Sequence, residues 1–201
     1  MRHLLPLIPW IAIPFLMPRA AMAQNSDLSF LLGVYWPRGE VVTAPSTYIH
    51  GSVGASVQLN YAGQVIQKAV DLYIEVPVVI SVQNTGTVTS TSVTSSTGPD
   101  VFFTPGVRLK ISPQSRISFY GALGGGIASF STDRIVSGKS TTITSGRTNS
   151  GALDFGGGID FRLTRLLSLR FDARDFVTQA GLGGSVGRHH GIYEFGVVFH
   201  F

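Results

Sequence analysis

Tyr193-Glu194-Phe195-Gly196-Val197-Val198-Phe199-His200-Phe201 is the stretch from which the rest of the chain can be read. Tyr193, Phe195, Val197, Phe199 and Phe201 are all apolar, and Glu194, Gly196 and His200 stand between them. Side chains on a strand point alternately to opposite faces, so one face of this stretch is greasy from end to end. About nine such residues are what a tilted strand needs to cross a hydrocarbon layer. The pattern predicts a transmembrane β-strand with its odd-numbered face toward lipid.

The same period of two recurs upstream. A first strand, Leu28 to Trp36, sets Leu28, Phe30, Leu32, Val34 and Trp36 on one face. A second, Ser52 to Tyr61, alternates Val53, Ala55, Val57, Leu59 and Tyr61 with small or polar residues, and a short turn is expected around Gly63. The third, Val70 to Val82, sets Leu72, Ile74, Val76, Val78 and Ile80 against Asp71, Tyr73, Glu75 and Pro77. The fourth, Val101 to Ile111, opposes Phe103, Val107, Leu109 and Ile111 to Phe102, Arg108 and Lys110. Strands five (Ile117 to Phe130), six (Ala152 to Leu163) and seven (Leu167 to Val177) follow the same rule, with Asp154, Asp160, Arg162, Arg170, Asp172 and Arg174 on the polar face. Residues 83–100 and 131–150 read as long Ser/Thr/Gly loops. Pro77 and Pro105 lack a ladder donor, so both are expected at bulges or missing hydrogen bonds in the outer half of the wall.

Eight strands result, with long connections after the odd-numbered ones and short turns after the even-numbered ones. A chain of this pattern that stops on an aromatic residue resembles the small bacterial outer-membrane β-barrels of the OmpA/OmpX type. The likeness runs over residues 28–201, and the terminal aromatic is its most specific mark. It implies an all-β, eight-stranded antiparallel up-and-down transmembrane barrel in the bacterial outer membrane, with both chain ends at the periplasm. It also implies a monomer in contact with outer-membrane lipids and lipopolysaccharide. Tyr193, Phe195, Val197, Phe199 and Phe201 would be the signal read by the barrel assembly machinery.

Composition agrees. Met1-Arg2-His3, the apolar run Leu4 to Met17 and Ala21-Met22-Ala23 predict a cleaved signal peptide over residues 1–23, leaving residues 24–201 as the barrel domain. The apolar run holds Pro6, Pro9 and Pro14, which argues against a membrane helix. Losing Arg2 and Arg19 lowers the net charge from +4 to +2, so the basic pI is no pointer to nucleic acid. The chain has no cysteine, which excludes disulfides and thiolate metal sites. Charged residues are 13% of the chain, against about 25% in soluble domains, too few to solvate a full surface. A lipocalin-like soluble barrel, the rival with the same alternation, would need a charged exterior, and the polar faces of strands one, two and five carry no charge.

With the apolar face outward, the charges point inward. The acids are Asp71, Glu75, Asp154, Asp160, Asp172 and Glu194, and the bases are Arg108, Lys110, Arg162, Arg170 and Arg174. An eight-stranded barrel is wide enough only for side chains, so these groups are expected to pair as a lumen network, with inward glycines such as Gly156 and Gly158 making room for long side chains. Parity also sets one register. A three-residue turn, Thr164-Arg165-Leu166, places Phe161 opposite Leu169 and Asp160 opposite Arg170.

Catalytic chemistry is thin. His189-His190 with Glu194 is the one cluster that resembles a site, but Gly191 and Ile192 supply no hydroxyl where a lipid A deacylase would place its serine. Adjacent histidines point to opposite faces, so one metal is not expected to bind both. No helix follows the glycine runs, so they are not phosphate loops. Thr87 to Thr94 has strand propensity and could carry a hairpin above the membrane, an edge open to partner strands. Arg134, Lys139, Arg147 and Arg188 make the outer loops mildly basic, which suits lipopolysaccharide phosphates. The function expected is thus a non-enzymatic barrel with a structural or surface-contact role and a plugged lumen, without metal or cofactor. A narrow pore for small solutes or hydrophobic molecules is the alternative, and a lipid A-modifying enzyme the third reading.

Overall fold

The computed structural model describes residues 26–37, 40–43, 46–88, 93–113, 115–131, 134–137, 142–144, 146–178 and 188–201. The expected leader, residues 1–23, lies outside them, as do Lys139 and residues 179–187. In chain order the strands are β1 (Ser26–Pro37), β2 (Glu40–Thr43), β3 (Ser46–Gly51), β4 (Gly54–Ile66), β5 (Val70–Val88), β6 (Val93–Phe103) and β7 (Gly106–Ile111). They continue as β8 (Ile117–Ser131), β9 (Arg134–Ser137), β10 (Thr142–Thr144), β11 (Arg147–Arg162), β12 (Leu167–Thr178) and β13 (Arg188–His200). All pairings are antiparallel. β6 and β7 share the neighbours β5 and β8 and so form one stave, and β13 returns to pair with β1, giving a closed wall of eight staves.

Alternation decides which way each stave faces. Leu32, Trp36, Leu59, Leu109, Phe119, Leu123, Leu153 and Phe195 are all exposed on the outside, while Ser29, Gln58, Arg108, Asp154, Arg170 and Glu194 are buried inside. Such an apolar exterior would be costly in water and is matched to hydrocarbon. The chain ends lie side by side at one end of the barrel, where Ser26 and Phe201 exchange two backbone hydrogen bonds of 3.0 Å.

The β11–β12 register is the one parity requires: Phe161 faces Leu169 and Asp160 faces Arg170, and Leu163 N–H donates to the Leu167 carbonyl at 3.0 Å. Elsewhere the strands run further than expected. The turn placed at Gly63 lies at residues 67–69, because Gly63 still pairs with Ile74 and a bulge between Gln64 and Ile66 bends the strand beyond it. Residues 83–100 are mostly strand: β5 and β6 pair from Val78–Phe103 to Val88–Val93, as their β-branched Thr and Val residues favour. Residues 131–150, read as a loop, contain β9, β10 and the start of β11.

At the end away from the termini, β2–β3–β5–β6–β9–β10 make one continuous antiparallel sheet that extends the wall on one side. Pro105 sits with Thr104 in the gap between β6 and β7, and the register on both sides of the gap places Pro77 against it on β5. The gap lies mid-wall, with no bulge. The missing donors of both prolines are therefore gathered at one place.

Candidate functional site

The lumen has two layers. In the half nearer the termini, Arg174 reaches Glu75 at 2.7 Å, Asp154 at 2.8 Å and Asp172 at 3.0 Å. Arg170 grips Asp160 with Nε at 2.6 Å and Nη2 at 2.8 Å, and Lys110 Nζ adds a third contact at 2.7 Å. Arg108 donates to Asp27 at 2.8 Å and stands 3.8 Å from Glu75, which joins the two clusters. Neutral donors complete the set: Asn60 to Glu75 at 3.0 Å, Gln58 to Asp172 at 3.3 Å and Thr104 to Asp154 at 3.2 Å. The guanidinium of Arg108 lies 4.8 Å from the Tyr73 ring centre, and that of Arg170 lies 4.8 Å from Tyr120, so ring faces cover what carboxylates do not. A side chain at Gly158 would run into the Tyr120 ring, and one at Gly156 would meet the stem of Arg174 at 3.0 Å. These two glycines supply the space that the large neighbours fill.

Membership of the network departs from the sequence set. Asp27 belongs to it: the apolar alternation that marks the first strand in the sequence starts only at Leu28, whereas β1 starts at Ser26 and carries Asp27 inward. Arg162 stands apart, donating to the Pro113 carbonyl at 2.6 Å in the turn below the barrel. Asp71 accepts the Lys68 N–H at 3.0 Å and so fastens the β4–β5 turn. Neither Asp71 nor Glu194 has an ion pair among the described residues, and Glu194 Oε1 has no hydrogen-bond partner. Asp27 also carries a short chain of bonds: His200 Nδ1 lies 2.7 Å from its Oδ1, and Ser168 Oγ lies 2.8 Å from His200 Nε2. That is the order of groups in a hydrolytic triad. Ser168 is only 1% exposed and Asp27 is shared with Arg108, so here the chain ties β12, β13 and β1 together where the barrel closes.

The second layer, toward the far end, is apolar. Tyr35, Val79, Phe102, Ala128, Phe130, Ala152, Phe176 and Ile192 form one buried cluster inside the wall. Phe102 is its hub, with ring centres 4.8 Å from Phe176, 5.8 Å from Phe130 and 6.2 Å from Tyr35. His190 is stacked against Tyr35 and Phe130 and is hydrogen-bonded to Tyr35 Oη at 2.5 Å and Thr178 Oγ1 at 3.2 Å.

The two histidines do face opposite ways: His189 is outside, paired with Asp175 at 2.7 Å. Glu194 is not bonded to either. Tyr193, Phe195, Phe199 and Phe201 are exposed on the outer face of β13 and the residue beyond it, with Val197 half-buried beside them. Of the basic residues expected outside, Arg188 is buried in the wall, and Arg147 donates to Ser129 Oγ at 3.1 Å and the Pro99 carbonyl at 3.2 Å. The side chain of Arg134 is not described.

A closed eight-stave antiparallel wall, apolar outside and charged within, is the fold of the bacterial outer-membrane β-barrels. Comparison with known proteins agrees. No protein-family profile and no curated relative matches the sequence. Among solved structures, the chain resembles Neisserial surface protein A at 12% identity and a TM-score of 0.55, over 90% of this chain and 99% of that one. It resembles the outer membrane protein OprG of Pseudomonas aeruginosa at 12% identity and a TM-score of 0.54, over 89% and 97%. It also resembles Ail, the attachment invasion locus protein of Yersinia pestis, at 15% identity and a TM-score of 0.50, over 88% and 99%; that structure is a complex with the heparin analogue sucrose octasulfate.

Proposed function

We propose that this protein is a non-enzymatic, monomeric resident of the bacterial outer membrane whose role is surface contact through the sheet that extends the far end of the barrel. The short turns and both chain ends then lie in the periplasm and the sheet outside. The leader over residues 1–23 takes the chain out of the cytoplasm, and the outward aromatics of the last strand are what the assembly machinery reads. The observation that carries the reading is the six-stranded sheet, which among the described residues ends in two unpaired edges, β2 and β10. An open edge can take up a strand from a partner through backbone bonds alone. Because β2 is four residues long and β10 three, each offers a small template, suited to a transient contact.

The pore alternative is disfavoured by the two layers of the lumen, since the charged half is filled by paired side chains and the far half by packed rings. Two measurements on the whole protein test the reading. In planar bilayers, the wild-type barrel is expected to give no steady conductance. Cells displaying the protein are expected to adhere to protein-coated surfaces, and cells displaying a version with residues 84–97 replaced by a short turn are not. Stepwise ion conductance, or adhesion that survives loss of the hairpin, would overturn it.

A further inference from the structure

The lipid-facing wall is hollowed near the end that holds the chain termini. Gly63 pairs with Ser26 on β1 and Ile74 on β5, and a Cβ there would meet nothing nearer than the Tyr61 hydroxyl at 4.0 Å. That hydroxyl lies 3.2 Å from Ser26 Oγ, and the Tyr61 ring centre lies 6.5 Å from that of Phe201, so the ring leans away from β5. A groove of about 560 Å³ results on the outer face, floored by Gly63, with Tyr61 on one side and Ile74 and Val76 on the other. The side chains that line it are apolar apart from Gln64 and the Tyr61 hydroxyl. At Val65 the groove reaches the β4–β5 turn, residues 67–69.

A hollow of this kind in a membrane is filled by hydrocarbon, because water would find too few polar partners in it. Which lipid supplies the chain is decided by the charge at its mouth. Lys68 stands in the turn, three residues beyond Val65, with its backbone N–H donated to Asp71 Oδ1 at 3.0 Å. Its side chain is exposed and has no ion pair among the described residues. A lysine so placed lays its stem along apolar surface and keeps its ammonium at the level of the headgroups. The other two short turns at this end carry exposed Arg116 and Arg165, and none of the three turns (67–69, 112–116 and 163–166) contains an acidic residue. The field at the mouth is therefore positive. We infer that the groove holds an acyl chain of an anionic phospholipid whose phosphate meets the Lys68 ammonium.

This inference rests on the membrane-spanning reading of the wall, and the test separates the two. The whole protein is reconstituted in nanodiscs holding equal parts of phosphatidylglycerol, phosphatidylethanolamine and phosphatidylcholine with the same acyl chains, and lipids that stay bound on release are counted by native mass spectrometry. Failure to insert would overturn the membrane reading and the groove with it. With insertion, phosphatidylglycerol is expected to be enriched about fivefold over the other two, which is what one basic residue contributes at an anionic membrane surface. Lys68→Gln should return the ratio to that of the bulk. Gly63→Leu, which fills the groove and leaves the lysine, should lower retention of all three lipids, and Arg116→Gln, on another turn, should leave the wild-type ratio. Equal retention of the zwitterionic lipids by the inserted wild type would overturn the groove inference alone. So would enrichment that persists in Lys68→Gln, retention untouched by Gly63→Leu, or an equal loss in Arg116→Gln, the mark of a diffuse basic rim.

Discussion

Replacing Arg174 by methionine would remove the cation on which three carboxylates converge. Its contacts of 2.7, 2.8 and 3.0 Å to Glu75, Asp154 and Asp172 are each worth about 6 kcal/mol by Coulomb's law at an effective dielectric near 20. Desolvation of the buried ions offsets most of that, at several kcal/mol per ion. The three acids are not stranded equally. Glu75 keeps Asn60 and the more distant Arg108, Asp172 keeps Gln58, and Asp154 keeps the Thr104 hydroxyl. The expected loss is therefore that of one broken buried pair, about 3–5 kcal/mol, rather than three times that figure. Reversible urea unfolding from lipid vesicles measures it. Arg174→Met with Asp154→Asn should recover part of the loss, giving a coupling of about 0.5–3 kcal/mol in a double-mutant cycle. A loss under about 1 kcal/mol for Arg174→Met alone would refute the claim that this group holds the lumen together.

Gly33→Ala should prevent or severely weaken folding, because a Cβ there would strike the Tyr193 carbonyl and the Glu194 backbone on the closing strand, whereas Gly63→Ala meets nothing nearer than the Tyr61 hydroxyl at 4.0 Å and should be tolerated; heat-modified mobility in gels compares them. His200→Ala should cost about 1–3 kcal/mol in urea unfolding, since it leaves buried Ser168 and one oxygen of Asp27 without their partner. A cost below about 0.5 kcal/mol would count against the clasp between β12, β13 and β1. Pro105→Ala should change stability by less than about 1 kcal/mol, because the register is the same on both sides of the gap and the proline carbonyl that accepts from Gly125 N–H at 3.1 Å is retained; a larger loss by the same assay would show that the ring itself is needed there.

Period two made the wall legible, because a strand between lipid and a polar lumen must alternate, and a slip by one residue would turn every side chain to the wrong side. The Asp160–Arg170 pair followed from that parity alone. What parity cannot give is which lumen charges meet, since pairing runs across the barrel between staves distant in sequence. Six acids and five bases share the inward face in the sequence, yet Arg174 takes three acids from β5, β11 and β12 while Glu194 has no ion pair among the described residues. The aromatic layer was also within reach. By parity Tyr35, Phe102 and Phe176 lie on the faces opposite the apolar rows of their strands, but rings scattered over three strands form no local pattern that shows them at one height. The strands of the outer sheet were obscured for a different reason. Thr and Ser serve loops and exposed strands equally well, so composition does not separate a paired hairpin from an unpaired one.

The order of the two layers has an energetic consequence that bears on function. Packed rings around Phe102 fill the lumen toward the far end, so the charges below them sit in a medium where each ion pair is stronger and each unpaired charge more costly. Opening that layer wide enough to pass ions would admit water to the network and weaken the contacts of Arg174 and Arg170 together. Conduction would then have to be reached at the expense of the interactions that hold the staves in register. That cost is the energetic ground for preferring the proposed surface-contact role, through the far-side sheet whose backbone edges are unpaired among the described residues, over a pore.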